Sequence, residues 1–262
     1  MTAAVGERVR IRYSVSGKVR YLSHRDVARV TERAIRRAGI PIAYTEGYSP
    51  RPKVQYGLAL STGYESTGEY VDIFLDPQRG GIVDPAVGVD PELFVAALDA
   101  CMPRGLDVLA AGVIDRSEPS LQDSVDSTSW EVLVAAADPV APGLRDAVAA
   151  LMASSTHEIE IVRKGKPVRE DLRPLVFDLS VDTPDLDHAD ARGHSAVPVA
   201  LVLGVELGTK PRSIRPAELL GALGVSEPAR VKRTHQWTNR DGQRGEPLGL
   251  DVPSQRTELC AT

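Results

Sequence analysis

Residues 8–41, RVRIRYSVSGKVRYLSHRDVARVTERAIRRAGIP, hold two hydrophobic periods in succession. Val9, Ile11, Tyr13 and Val15 alternate with Arg8, Arg10, Arg12 and Ser14 and stop at Ser16-Gly17, the period of two expected of a strand that runs into a turn. From Ser23, with Asp26 three positions on, the period changes. Val27, Val30, Thr31, Ala34, Ile35 and Ala38 now recur at helical spacing behind an N-cap arrangement. Gly39 ends this helix and Pro41 bars its continuation. A strand feeding an amphipathic helix in this way is the opening of a split β-α-β unit.

Working outward, Ile42 to Tyr44 reads as a short strand, and Glu46 to Pro52 as a loop stiffened by Pro50 and Pro52. Lys53 to Leu60 and Glu69 to Leu75 read as strands joined by the polar segment Ser61 to Gly68. Pro91 to Cys101 reads as a helix and Leu106 to Ile114 as a closing strand. Residues 116–129, polar and rich in Ser and Asp, read as a linker. Beyond it the order recurs. Strands are expected at Trp130–Ala136, His157–Arg163, Leu172–Val181, Val197–Leu207 and Ala229–Trp237, with helices at Gly143–Ala153 and Pro216–Leu223 and an acidic, mobile loop from Asp182 to Ser195. The expected fold is therefore α+β: two tandem ferredoxin-like split β-α-β sandwiches, over residues 7–115 and 130–237, followed by a disordered tail over 238–262.

The 262 residues suffice for one or two domains with proper cores. No apolar run reaches signal-peptide or membrane-spanning length, so a cytoplasmic protein is expected. Cys101 and Cys260 are too few and too distant for a zinc or iron–sulfur site. None of the five histidines has metal-ligand spacing, save His188 and Asp190 in the acidic loop, and no nucleotide-binding or hydrolase motif occurs. No metal or cofactor is expected.

Charge is unevenly spread. Between Arg8 and Tyr56 stand twelve cations against Asp26, Glu32 and Glu46, a local +9 in a chain of net charge −5. Five of the seven tyrosines are interleaved with them. Cations neutralise phosphate and aromatic faces stack on unpaired bases, so this composition points to RNA. On the helix, Arg25, Arg29, Arg33 and Arg36 form one stripe opposite the apolar face, and guanidinium is geometrically matched to phosphate. The proline-stiffened loop presents Tyr48, Arg51 and Lys53. The expected contacts are Arg20, Tyr21, His24, Arg25, Arg29, Arg33, Arg36, Tyr44, Tyr48, Arg51 and Lys53, extended in the second half by Arg163, Lys164, Lys166 and Arg173. Docking of an acidic protein, as an interaction adaptor, or a merely solvated face would use the same stripe. His24 is the one candidate for catalysis, as general acid or base of a metal-independent RNA endonuclease. No second titratable partner stands at a fixed offset from it, so the primary expectation is a non-catalytic module.

The runs Val19-Arg20-Tyr21-Leu22-Ser23-His24-Arg25-Asp26, Arg36-Arg37-Ala38-Gly39-Ile40-Pro41 and Tyr44-Thr45-Glu46-Gly47-Tyr48-Ser49-Pro50-Arg51-Pro52-Lys53 resemble the radical SAM-linked bacterial protein family of unknown function. The resemblance continues through Arg163-Lys164-Gly165-Lys166, Asp171-Leu172-Arg173-Pro174 and Arg215-Pro216-Ala217-Glu218-Leu219-Leu220, and so covers most of residues 7 to 237. In that family the domain often trails a radical SAM enzyme module and elsewhere stands alone. The resemblance implies association with a separate radical SAM enzyme and with tRNA or rRNA modification or processing. It supplies no catalytic residues, and the cluster-binding CxxxCxxC is absent from this chain.

Overall fold

All eight residues of the first strand, β1 (Arg8–Val15), are buried, although apolar and polar residues alternate along it. Val9, Ile11, Tyr13 and Val15 enter an apolar core, and Arg8, Arg10 and Arg12 are buried on the opposite face. The structure, a computed structural model, describes residues 7–76, 83–84, 88–163, 165–184, 198–226, 228–240 and 242–249.

From β1 a 3-10 turn over Gly17–Tyr21 leads into α1 (His24–Arg37). The Ser23 hydroxyl accepts a hydrogen bond from the Asp26 N–H at 3.2 Å, so one of the four N–H groups a helix start leaves open is satisfied. Val27, Thr31, Ala34 and Ile35 form the buried face of α1, and Gly39, at φ +69°, turns the chain out of the helix. There follow β2 (Val54–Tyr56), β3 (Glu65–Phe74), a small hairpin of β4 (Val83–Asp84) and β5 (Gly88–Val89), α2 (Pro91–Asp99) and β6 (Val108–Ile114). The short α3 (Leu121–Ser124) precedes β7 (Val125–Ala135), α4 (Leu144–Ala153), a hairpin of β8 (Glu158–Arg163) and β9 (Lys166–Asp171), β10 (Val176–Asp182), β11 (Val199–Gly208), α5 (Pro216–Ala222), β12 (Pro228–Arg240) and β13 (Gln243–Gly245). No helix among the described residues is long and apolar enough to cross a membrane.

The protein is α+β, with one mixed nine-stranded sheet. Its order is β10-β11-β7-β12-β3-β1-β6, with β2 added to β3 and β13 to β12. The pairs are antiparallel except β12–β3, which run parallel through Lys232–Glu65 and Arg233–Ser66. That contact joins the two halves of the chain. The join is reinforced by Arg233, whose guanidinium donates to the Leu58 and Ala59 carbonyls, lies 3.3 Å from Glu69 and stacks over Trp130. Two apolar clusters form the core, and Leu60 packs against both.

The element bounds depart from the sequence reading where polar residues find partners. The stretch expected as a linker, 116–129, contains α3 and the first five residues of β7. Ser127 donates to Glu206 at 2.5 Å, Ser129 accepts from the Trp237 indole at 2.7 Å, and Leu121 is buried. Thr238 to Arg240, expected in a disordered tail, end β12, and Gln243–Gly245 pair with them as β13. Residues 250–262 of that tail lie outside the described residues, as does most of the acidic loop, 185–195. β3 begins at Glu65, four residues earlier than expected, and only Val54–Tyr56 of the expected strand Lys53–Leu60 is a strand. The strand expected from Leu172 begins at Val176, after a 3-10 turn containing Pro174, and β9 occupies residues where the apolar pattern marks no strand.

Candidate nucleic-acid interface

The structure divides the arginines of the N-terminal segment into two sets. On β1, Arg8 and Arg10 both grip Asp72 of β3: Arg8 through Nη2 at 2.5 Å and Nε at 3.1 Å, Arg10 through Nε at 2.7 Å and Nη2 at 3.0 Å. Their remaining donors reach the carbonyls of Glu118, Pro119 and Pro247. Arg12 pairs with Glu246 at 2.9 Å. These three cations belong to the interior, and their share of the local +9 is not presented to solvent.

The second set is exposed. Arg25, Arg29, Arg33, Arg36 and Arg37 all lie on the solvent side of α1. Arg29 pairs with Asp26 at 3.2 Å, in an ion pair that is itself largely exposed and so weak. Among the described residues the guanidinium groups of Arg25, Arg33, Arg36, Arg37 and Arg51 make no hydrogen bond or ion pair. Arg37, not among the expected contacts, follows from the same i, i+4 arithmetic as its neighbours, counted from Arg33. At the N-terminal end of the helix Arg20 pairs with Glu65 at 2.7 Å, donates to the Tyr21 hydroxyl at 2.9 Å and lies over the Tyr21 ring. Tyr21 is 62% exposed.

The loop between α1 and β2 is held by paired hydrogen bonds across it. The Thr45 N–H donates to the Arg51 carbonyl at 2.9 Å, and the Arg51 N–H to the Thr45 hydroxyl at 3.0 Å. At its tip Tyr48 is fully exposed, with Arg51 and Lys53 also in solvent; the Lys53 ammonium lies 4.6 Å from the Phe74 ring centre. Tyr44 is half-buried against the core, in an isolated bridge with Pro52. Tyr13 and Tyr56, also in the basic segment, face inward. Burial pushes the Tyr13 hydroxyl well above its usual range, and Tyr56 donates to the Ala28 carbonyl at 3.3 Å.

His24 is exposed at the start of α1, with its ring edge-on to Tyr56 at a centroid distance of 5.3 Å. It stands with Arg20 on the wall of a small crevice of about 30 Å³. Glu69 and Tyr13 also line the crevice. Burial holds the Glu69 carboxyl above the usual carboxylate range, with the Arg233 charge opposing that shift.

In the second half the expected residues fare differently. Arg163 is exposed and pairs with Glu170 at 3.0 Å, and Lys166 is exposed on the β8–β9 hairpin; Lys164 lies outside the described residues. Arg173 is turned inward, donating to the Val176 carbonyl at 2.8 Å and the Met152 carbonyl at 3.2 Å, so it fixes the 3-10 turn before β10. Among the described residues no group of three or more His, Cys, Asp or Glu is placed to hold a metal ion.

A family model described as an uncharacterized protein conserved in bacteria matches residues 8–211, which include β1, α1 and the whole exposed arginine face. Comparison with curated proteins gave no match.

Proposed function

For this chain, which belongs to the uncharacterized bacterial family DUF2344, we propose a non-catalytic role as an RNA-binding or substrate-presenting module. The observation that carries the reading is the outer face of α1, five arginines on one 14-residue helix of which four make no side-chain hydrogen bond or ion pair among the described residues. Unpaired guanidinium groups give up no internal ion pair on binding and match phosphate geometry. Tyr21 and Tyr48 provide exposed aromatic faces beside them for unpaired bases. In this reading the two halves are tandem ferredoxin-like units. The matching strand orders β6-β1-β3-β2 and β12-β7-β11-β10 support that description. The resemblance of the N-terminal motifs to domains that trail radical SAM enzymes supports a place beside a separate radical SAM enzyme, with tRNA or rRNA as the bound substrate.

Filter binding of total cellular RNA across a salt series tests this. Each phosphate contact on a single strand contributes about 0.7 to the slope of log K against log salt, so R25E/R29E should lower the slope by about 1.4 and weaken binding. A flat salt response, or unchanged binding by the charge-reversed protein, overturns the reading.

A second reading rests on His24, which is exposed beside Arg20 at the crevice and free to meet an RNA backbone held on α1. It makes the protein a metal-independent RNA endonuclease. Incubation of structured RNAs with excess protein in EDTA decides it: cleavage lost in His24→Ala with RNA binding retained supports the enzyme, and intact RNA rejects it.

A further inference from the structure

The exposed arginines of α1 form a row with a regular step. Arg25, Arg29, Arg33 and Arg37 follow one another at intervals of four residues, with Arg36 three positions after Arg33. A rise of about 1.5 Å per residue sets neighbours in the row about 6 Å apart along the helix axis and spreads the four over about 18 Å. Successive phosphates along one nucleic-acid strand have a similar spacing, and a guanidinium group takes a phosphate through two parallel donors. The row therefore offers one arginine per phosphate for four phosphates in sequence. Among the described residues only Arg29 of this row has an ion pair, and its exposed contact with Asp26 is weak enough to yield.

Tyr21 stands just before the N-terminal end of the row, with 62% of its surface exposed. Arg20 fixes its place. The Arg20 carbonyl accepts a hydrogen bond from the Gly63 N–H at 2.7 Å, and its guanidinium pairs with Glu65 at 2.7 Å while lying over the Tyr21 ring. A ring held in this way is a stacking platform set before any base arrives. The rest of the protein does not favour a broader contact: residues 8–56 sum to +9, so the remaining residues of the −5 chain sum to −5 − 9 = −14. A duplex laid on α1 would carry a second strand that the row cannot neutralise and would keep its bases paired and away from Tyr21. A single strand can follow the row alone and turn a base out. We propose, resting on the RNA-binding reading above, that α1 takes a single-stranded run of about four phosphates, one to each arginine of the row, with an unpaired base stacked on Tyr21. The preferred substrate is then an unpaired segment of RNA, a loop or an end, rather than a duplex stem.

Salt series on the full chain with oligouridylates of about 2 to 12 nucleotides and with an RNA duplex of about 12 base pairs, read by fluorescence anisotropy, test this separately from the binding of total RNA. At about 0.7 per phosphate contact on a single strand, the slope of log K against log salt should rise with length and level off at about 2.8. The plateau should be reached at about five nucleotides, the shortest chain with four internucleotide phosphates. The duplex should bind about tenfold or more weakly than the single strand of the same length. Tyr21→Ala should weaken the single strands about tenfold and leave the slope unchanged, and Tyr21→Trp should keep the wild-type affinity. A slope that climbs up to the longest oligonucleotide, a duplex bound as tightly as the single strand, or unchanged affinity in Tyr21→Ala would each overturn the proposal while the binding of total RNA still stood. A flat salt response with total RNA would instead remove the reading on which it rests.

Discussion

Asp72→Asn removes the one carboxylate that Arg8 and Arg10 share and leaves a side chain of nearly the same shape. Asp72 is completely buried, and Arg8 and Arg10 are 3% and 0% exposed, so neither guanidinium can turn to water without opening the sheet. Four of their donors lie within 3.1 Å of its two oxygens. Orphaning a buried charge in this way costs about 3–5 kcal/mol. Against a total stability of about 5–15 kcal/mol that is a fifth or more of the whole. With a urea dependence of about 2–3 kcal/mol per molar, the unfolding midpoint should fall by roughly 1–2 M. Tryptophan fluorescence is a suitable probe, since Trp130 is buried beneath Arg233 near the join of the two halves. A companion variant, R8M/R10M/D72L, has no charge left to orphan and should recover most of the loss. A midpoint shift in Asp72→Asn smaller than about 0.3 M would refute the reasoning, because it would make the pair equivalent to a surface one. A triple variant as unstable as the single one would transfer the stabilisation from charge to the carbonyl hydrogen bonds of Glu118, Pro119 and Pro247.

Three further outcomes follow from the same geometry. R25E/R29E, which weakens RNA binding in the proposed function, touches only exposed side chains and should leave the free energy of urea unfolding within about 0.5 kcal/mol of wild type; a larger loss would mean that the stripe is structural. Ser23→Ala removes the hydroxyl that accepts the Asp26 N–H and should cost about 1 kcal/mol, read as a fall in melting temperature of about 2–4 °C, with an unchanged Tm refuting the cap. Glu69 provides a pH test. Burial raises its folded pKa above the ordinary 4.5, so the folded state holds the proton more tightly than the unfolded chain. That contribution is complete below about pH 4.5 and is lost as pH rises through the raised folded value. Glu69→Gln removes the titration, so from pH 4.5 upward the wild type should lose stability relative to the variant. Urea midpoints across that range measure the drift, and one in the opposite direction would rule out the raised pKa.

The sequence made most of the framework legible because apolar periods mark cores regardless of what covers the other face. β1, α1, α2, α4 and α5 all fall within a few residues of where period and caps placed them. Residues 125–129, 238–240 and 243–245 escaped because their strands are polar. Ser127 and Ser129 are ordered by partners far along the chain, Glu206 at 79 residues and Trp237 at 108, and Thr238 by the Gly245 carbonyl of β13. Local pattern cannot register such partners. The same blindness applies to charge. Arg10 and Arg29 are indistinguishable as residue types, and only the arrival of Asp72 from 62 residues away assigns the first to the interior. The helical stripe was legible because its four positions share a face by arithmetic alone. Arg173 misled because a basic residue beside a proline turn reads as exposed, whereas two carbonyls capture it.

What separates the two sets of arginines is position rather than any shortage of acid, since the chain has 36 carboxylates for 31 lysines and arginines. β3 lies between β1 and β12 and offers Asp72 to the arginines of β1 and Glu69 to Arg233 of β12. Its carboxylates are thereby committed to holding the sheet and the join between the halves. α1 stands outside that arrangement. Its outer face carries five guanidinium groups, and the only acids in the helix are Asp26, engaged with Arg29 and Ser23, and Glu32. An acidic protein that neutralises its sheet arginines internally, while leaving four of the five arginines on a helix face without an ion pair among the described residues, concentrates its positive field on one surface. The long-range attraction of a polyanion to that surface must then survive the negative charge of the remainder, which is why the salt dependence of binding is the measurement that bears on it most directly.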